Sequence, residues 1–221
     1  PLENLLVLAG AGSGKTRVLV HRIAWLLGVE RASPFSILAV TFTNKAAAEM
    51  RGRIEKLLGG GIGGAHSHRS MWVGTFHGIA HRLLRAHHLD AGLPQDFQIL
   101  DSDDQLRLIK RVVRSLNLDE KQWVPRAVMG YINGKKDDGL RPRDIETYGD
   151  STARTWLKLY ETYQQTCDRA GLVDFAELLL RAHELWLHKP HILEHYQKRF
   201  RHILVDEYQD TNAIQYAWVQ I

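Results

Sequence analysis

Residues 7–16 read VLAGAGSGKT, a stretch whose small residues are suited to holding phosphate groups. Consecutive backbone N–H groups can turn inward on an anion only where side chains are small, and Gly10, Gly12 and Gly14 meet that need. The usual pattern opens with glycine where this chain has Ala9. That position ends a strand, so a methyl group is tolerated there as long as φ is not positive. The stretch therefore predicts a phosphate-binding loop. Its predicted residues are Ala9, Gly10, Ala11, Gly12, Ser13, Gly14, Lys15 and Thr16.

Two carboxylates far along the chain supply the second half of such a site. In HILVDEYQD, Asp206 and Glu207 directly follow three aliphatic residues that read as a strand. Adjacent residues at a strand end project in different directions, so one can face a metal ion and the other an attacking water. We predict that Lys15 reaches the β and γ phosphates of ATP, that Thr16 and Asp206 hold Mg²⁺, and that Glu207 is the general base. An Asp-Glu pair considered by itself is more often a solvated turn.

A Thr-Phe pair occurs twice, in TFTNKAAAEM and VGTFHGIAHRLLR, each time at the end of a predicted strand. If Phe42 and Phe76 are exposed, their rings can stack on the bases of single-stranded nucleic acid, at about 1 to 3 kcal/mol per base. The neighbouring Thr43, Asn44 and His77 can then hold phosphates. The competing interpretation is that both rings pack in the core.

Short apolar runs alternate with helical patterns in the first part of the chain. Predicted strands cover Leu5–Ala9, Ile37–Thr41, Met71–Thr75 and Ile203–Val205. Predicted helices follow the first three strands, over Lys15–Leu27, Asn44–Leu58 and Phe76–His87. This alternation predicts an α/β fold with a parallel sheet, in which ligands gather at the carboxyl ends of the strands. The glycine-rich connector 59–70 lies between the second helix and the third strand.

The interval between His77 and Phe200 has helical patterns and almost no convincing strand. A helix is predicted after an N-cap at Asp101 or Ser102, with an exposed basic face. Further helices are predicted over Trp156–Asp168, Asp174–Leu187 and Pro190–Arg199, and a turn over 133–142. Because 191 residues separate Lys15 from Asp206, far more than a minimal phosphate-loop domain needs, we interpret the interval as a helical insertion.

The bulk composition narrows the functional classes. The chain has 221 residues, a formal net charge of +4 and 12 histidines, which is compatible with a nucleic-acid partner. Cys167 is its one cysteine, which excludes an intrachain disulfide and a thiolate metal cluster. No apolar run approaches the roughly 20 residues that span a bilayer, and the first residues lack signal-peptide features, so we expect a cytoplasmic protein with no membrane partner.

Five segments, taken in order, are similar to the successive N-terminal motifs of superfamily 1 DNA helicases of the UvrD/Rep/PcrA type. They are AGAGSGKT, TFTNKAAAEM, VGTFHGIAHRLLR, LVDFAELLL and ILVDEYQDTN. The resemblance covers nearly the whole chain. It implies ATP-driven movement along single-stranded DNA from 3′ to 5′, unwinding of duplex DNA, and a role in DNA repair near the nucleoid.

The resemblance also assigns roles to residues. Arg17 matches an arginine beside the adenine, and Gln209 matches a residue that couples nucleotide state to DNA. The DNA path is implied to include Phe42, Thr43, Asn44, Thr75, Phe76 and His77. The implied organisation is a RecA-like domain 1A over 1–75 and 200–221, interrupted by a helical subdomain 1B over 76–199.

The motif that reads adenine in this family should precede residue 1, and the sequence stops at Ile221, before the second RecA-like domain with its arginine fingers. Residues 1–221 alone are therefore expected to hydrolyse ATP feebly, since an arginine finger contributes on the order of 10³ to 10⁵ in turnover. The expected partners are that second domain, single-stranded DNA, junctions of single- and double-stranded DNA, and DNA repair proteins. Two other functions stay open: a nucleotide kinase, and a module that binds single-stranded DNA without turnover.

Overall fold

The computed structural model describes residues 4–10, 12–58 and 70–220. In these ranges the chain forms mixed α and β structure. The strands are β1 (Ile37–Thr41), β2 (Trp72–Thr75), β3 (Gln98–Leu100), β4 (Leu172–Asp174) and β5 (His202–Val205). The helices are α1 (Lys15–Gly28), α2 (Asn44–Leu58), α3 (Phe76–Ala86), α4 (Ser102–Ser115), α5 (Pro125–Asp137), α6 (Ser151–Ala170), α7 (Phe175–His188), α8 (Pro190–Arg199) and α9 (Ala213–Val219).

The described residues divide into two compact units. Unit 1 consists of the residues up to Ile79 together with Glu194–Asp210. Unit 2 consists of Ala80–Leu193 together with the residues from Thr211 onward. The boundaries expected for 1A and 1B, at 75/76 and 199/200, are not tested by this division and stay a prediction.

Unit 1 contains a parallel sheet in the order β2-β1-β5. The central strand β1 is buried at every position, as expected for a strand with neighbours on both sides and helices packed on it. Helices α1 and α2 pack together, and α2 also packs on β1 and β2. Their apolar side chains form one core with the sheet: Val20, Ile23, Leu26, Leu27, Ile37, Ala39, Met50, Ile54 and Met71. The predicted parallel α/β fold is confirmed.

The predicted strand over Leu5–Ala9 is wrong. This segment has no regular secondary structure, and the side chains of Leu5, Leu6 and Leu8 are 74%, 65% and 85% exposed. A run of aliphatic residues indicates only that the segment can be buried, whereas a strand also needs a neighbouring backbone to pair with. Among the described residues, β5 pairs with β1 alone.

The other predictions for unit 1 are close to the structure. The bounds of α2 and β1 are as predicted, and α1 and β2 differ from their predicted ranges by one residue at one end. Of the glycine-rich connector 59–70, residues 59–69 lie outside the described ranges.

Unit 2 is mainly helical, with α4, α5 and α6 packed around one core and α9 against α5 and α7. The Asp101 carboxylate accepts a hydrogen bond from the backbone N–H of Asp104 and caps α4, as predicted. Trp123 and Trp186 are buried, and the Trp156 ring contacts the Trp123 ring edge to face at the margin of the core that contains Trp123.

Four elements of unit 2 were not predicted: β3, β4, α5 and α9. β3 and β4 form a parallel pair of three residues each, too short to leave a hydrophobic period in the sequence. Helix α5 extends to Asp137, so the predicted turn over 133–142 is wrong for its first five residues. Its polar sequence, NGKKD, indicates a turn, but Lys136 is fully buried and held by charged partners.

Those partners form a buried ionic network in unit 2. The Lys136 ammonium lies 2.7 Å from an Asp174 carboxylate oxygen and 2.8 Å from a Glu177 carboxylate oxygen. The Arg141 guanidinium donates two hydrogen bonds to Glu177, of 2.7 and 2.8 Å, and Tyr163 donates one to Asp174. Burial works against the charged forms, but the facing cations hold the pKa of Glu177 well below its ordinary value.

The network makes a stability prediction. Lys136→Met leaves two buried carboxylates with one cation fewer, so we expect it to lower the free energy of unfolding by about 3 to 5 kcal/mol. The measurement is urea denaturation at pH 7. Lys158→Met is the matched control, because Lys158 is exposed and lies 3.9 Å from Glu161, and it should cost less than about 0.5 kcal/mol. Equal costs for the two variants would contradict the prediction.

Candidate active site

The glycine loop lies between residue 9 and the first turn of α1. Gly12 and Gly14 have φ values of +74° and +89°, in the left-handed region that glycine adopts without strain, and Gly14 is the N-cap of α1. Ser13 closes the turn, since its hydroxyl donates a hydrogen bond of 2.6 Å to the Gly10 carbonyl. Ala9 has no positive φ, which is the condition under which alanine fits there. Ala11 lies outside the described residues.

Helix α1 and strand β5 bring a hydroxyl and a carboxylate together. The Thr16 hydroxyl in the first turn of α1 donates a hydrogen bond of 2.9 Å to an Asp206 carboxylate oxygen. Asp206 directly follows β5, and its backbone N–H donates to the Val40 carbonyl at 2.9 Å, which ties it to the sheet. The Asp206 side chain is therefore buried at the carboxyl end of the central strands. Hydroxyl and carboxylate oxygens are hard ligands of the kind that Mg²⁺ prefers, so this pair fits that ion.

The neighbouring pair joins Lys15 to Glu207. The Lys15 ammonium lies 3.5 Å from a Glu207 carboxylate oxygen, and the Gln209 amide donates a hydrogen bond to the same oxygen. That hydrogen bond and the lysine charge lower the pKa of Glu207. Glu207 also has a φ of +53°, an uncommon backbone conformation for a residue other than glycine. The carboxylate is thus held ionised at a strained strand end.

The two Thr-Phe pairs lie side by side because β1 and β2 pair in register. Thr41 lies opposite Thr75, so the residues that follow, Phe42 and Phe76, leave the sheet at neighbouring points. Their ring centroids are 5.5 Å apart, in an edge-to-face arrangement. Phe42 is partly exposed, but Phe76 is only 1% exposed. Of the two interpretations, packing in the core therefore holds for Phe76, because α3 begins at this residue and turns its ring into the core.

The polar residues of these two segments begin the following helices. The Thr43 hydroxyl accepts a hydrogen bond from the backbone N–H of Ala46, and the Thr75 hydroxyl accepts one from Gly78. Asn44 is the exposed first residue of α2. His77 is partly buried, which lowers its pKa and favours the neutral imidazole.

The structure thus brings Lys15, Thr16, Asp206, Glu207 and Gln209 into one cluster. Arg17 lies beside them on α1 and is exposed. Sequence reasoning missed Thr41, a buried residue whose hydroxyl donates a hydrogen bond of 3.1 Å to the Thr43 carbonyl. A threonine at the end of an aliphatic strand was the only signal for this contact, which supports the turn that carries Phe42. Within the described ranges, no group of three or more His, Cys, Asp or Glu residues could hold a metal ion.

A parallel sheet with a glycine loop at one helix start and carboxylates at a neighbouring strand end defines the class of P-loop α/β proteins. The chain belongs to the UvrD/REP helicase N-terminal domain family, whose model matches residues 1–221. This confirms the resemblance that the motifs indicated.

Relatives of the chain carry helicase names. It is 71% identical over its full length to DNA helicase II of Escherichia coli (strain K12), and 66% identical to DNA helicase II of Haemophilus influenzae (strain ATCC 51907 / DSM 11121 / KW20 / Rd). It is 41% identical, over 98% of its length, to the ATP-dependent DNA helicase PcrA of Bacillus subtilis (strain 168). The chain spans 30% of the length of each DNA helicase II and 29% of that PcrA. In the part of the chain that the structure describes, no helix is long and apolar enough to cross a membrane.

The hydrogen bond from Gln209 predicts the titration of Glu207. A donor to a carboxylate stabilises its ionised form, so Gln209→Ala should raise the pKa of Glu207 towards its ordinary value. Lys15→Met should raise it as well, by less, because the hydrogen bond is the larger cause. NMR titration of the Glu207 carboxyl carbon measures both. Gln122→Ala, an exposed glutamine in unit 2, is the control, and an unmoved pKa in Gln209→Ala would refute the contact.

Proposed function

We propose that residues 1–221 are the ATP-binding part of an ATP-dependent DNA helicase, which moves 3′ to 5′ along single-stranded DNA and unwinds duplex DNA in repair. The observation that carries the proposal is the cluster in which Thr16 lies 2.9 Å from Asp206 and Lys15 lies 3.5 Å from Glu207. Family membership and the helicase names of the relatives support it.

Each residue of the cluster has a proposed task in ATP hydrolysis. The loop from Ala9 to Gly14 surrounds the phosphates with backbone N–H groups, and Lys15 neutralises charge on the β and γ phosphates. Thr16 and Asp206 hold Mg²⁺, which when bound neutralises the charge that develops on the phosphates. Glu207 accepts a proton from the attacking water.

Two further residues are proposed to tune this site. Arg17, exposed at the start of α1, lies beside the adenine. Gln209 restrains the Glu207 carboxylate and links nucleotide state to DNA.

The proposed DNA contact lies in unit 1, next to the nucleotide site. Unit 1 comprises 1–79 and 194–210, and these ranges contain twelve basic residues (Lys and Arg) and eight acidic residues (Asp and Glu). Unit 2 contains 17 basic and 17 acidic residues. The positive net charge that favours a phosphate backbone is therefore concentrated in unit 1. Partly exposed Phe42 stacks on a base. The polar residues proposed to hold the DNA backbone are Thr43, Asn44, Thr75 and His77.

The proposal extends to the organisation of the protein. Residues 1–75 and 200–221 belong to the RecA-like domain 1A, and 76–199 form the helical subdomain 1B. Because the relatives are more than three times as long, we propose that a second RecA-like domain closes the ATP cleft. The proposed partners are single-stranded DNA, its junctions with duplex, and DNA repair proteins, and the proposed location is the cytoplasm, at the nucleoid.

DNA-dependent ATP hydrolysis tests the proposal. In the longest natural polypeptide that carries residues 1–221, single-stranded DNA should stimulate hydrolysis, and Lys15→Ala should lower the rate by about 10²-fold or more, because a charge that stabilises the transition state is lost. Lys56→Ala, which removes an exposed lysine near the end of α2, is the control and should leave the rate unchanged. A rate of ATP hydrolysis that does not change when single-stranded DNA is added contradicts the helicase function. Transfer of phosphate to a nucleoside would favour a kinase.

The Lys15–Glu207 ion pair makes a separate prediction about nucleotide affinity. Glu207 competes with the phosphates for the lysine, so Glu207→Gln should tighten the binding of ADP several-fold in magnesium-free buffer, as measured by calorimetry. If the effect acts through Lys15, it should disappear in a Lys15→Met background. Persistence there would instead indicate general repulsion between Glu207 and the phosphates. Asp210→Asn, a nearby change of the same charge, is the control.

A further inference from the structure

Phe76 and Phe42 differ in exposure although they occupy equivalent positions in the sequence. Each follows a threonine at the end of a parallel strand, and those threonines, Thr41 and Thr75, lie opposite each other in the sheet. Phe42 precedes α2 by a short turn and is partly exposed, whereas Phe76 is the first residue of α3 and is buried. Phe76 therefore has no face with which to stack on a base.

The position of Phe76 is set by several contacts. The register of β1 and β2 fixes its backbone, and the hydrogen bond of 3.0 Å from the Gly78 N–H to the Thr75 hydroxyl fixes the first turn of α3. A Cβ added at Gly78 would lie 3.2 Å from that hydroxyl, so the turn is closely packed. The Phe76 ring is consequently held in a fixed position beside the turn that carries Phe42.

Phe42 rests on this ring. The two ring centroids are 5.5 Å apart and the ring planes are inclined by 63°, a favourable edge-to-face geometry. On its own side Phe42 is held by a short turn in which the Thr41 hydroxyl donates to the Thr43 carbonyl. A partly exposed ring on a short turn can take several orientations, and contact with a buried ring selects one of them.

We propose that Phe76 is a positioning residue: it touches no DNA and holds the Phe42 ring in the orientation that stacks on a base. The inference rests on the proposed function, because it assigns Phe76 a task in the same DNA contact. It also removes Phe76 from the set of residues that contact DNA directly.

A double-mutant cycle tests the inference, with affinity for a labelled oligothymidylate measured by fluorescence anisotropy in the longest natural polypeptide that carries the chain. Phe42→Ala should weaken binding about tenfold, through loss of the stacking surface. Phe76→Leu keeps an apolar side chain but removes the aromatic edge, and should weaken binding about threefold to tenfold. In the Phe42→Ala background, Phe76→Leu should change the affinity by less than about 1.5-fold, because its effect acts through Phe42.

A second readout and a matched control separate positioning from a loss of stability. A 2-aminopurine base in the oligonucleotide should be quenched when it stacks on Phe42, and Phe76→Leu should reduce that quenching at saturating protein. Phe97→Leu alters an equally buried phenylalanine of unit 2 and should leave affinity and quenching unchanged.

Each outcome bears on one proposal. If Phe42→Ala leaves the affinity unchanged, the proposed DNA contact is wrong and the positioning role falls with it. If Phe42→Ala weakens binding but Phe76→Leu does not, only the positioning role is overturned. A Phe76→Leu effect of equal size in both backgrounds also overturns it, because Phe76 would then act independently of Phe42.

Discussion

The parallel pairing of β1 with β2 and β5 is the constraint on which unit 1 depends. Parallel strands end at the same edge of a sheet, so the pairing brings the residues that follow three distant segments to one place. It places Phe42 beside Phe76, and it brings Asp206 and Glu207 to the edge of the sheet where they contact the start of α1. Without this register the aromatic pair would not form and the carboxylates would not lie at this edge, although up to 194 residues, from Lys15 to Gln209, separate the members of the cluster.

Different interactions stabilise the two units. Unit 1 relies on a sheet that forms one apolar core with α1 and α2, and its candidate functional side chains lie at the edge where the strands end. Unit 2 adds a buried ionic network in which Lys136 and Arg141 share the carboxylate of Glu177. Such pairs are costly to bury, and these join two helices, because Lys136 lies on α5 and Glu177 on α7. The buried environment also raises the pKa of Cys167 to about 12, which keeps the thiol protonated and unreactive.

The sequence predicted correctly those elements that are determined by neighbouring residues along the chain. Helix α2 has alanines in its first turns and a threonine cap, and strand β1 is a short aliphatic run ending in threonine, and both have their predicted bounds. The predictions failed where a distant partner decides the outcome. The residues of Leu5–Ala9 are as apolar as a strand but pair with no other described segment, and NGKKD becomes helical because Lys136 contacts buried carboxylates.

The amino-acid sequence by itself determined the α/β class, the glycine loop, the family and the types of residue available for phosphate and metal chemistry. These follow from residue identity and local spacing, which need no knowledge of distant contacts. Only the tertiary structure decided that Lys15 pairs with Glu207 and Thr16 with Asp206, and that of two Thr-Phe pairs one ring is partly exposed and the other buried. The physical reason is that strand register and the point at which a helix begins set the direction of each side chain, and both depend on contacts between segments far apart in the chain.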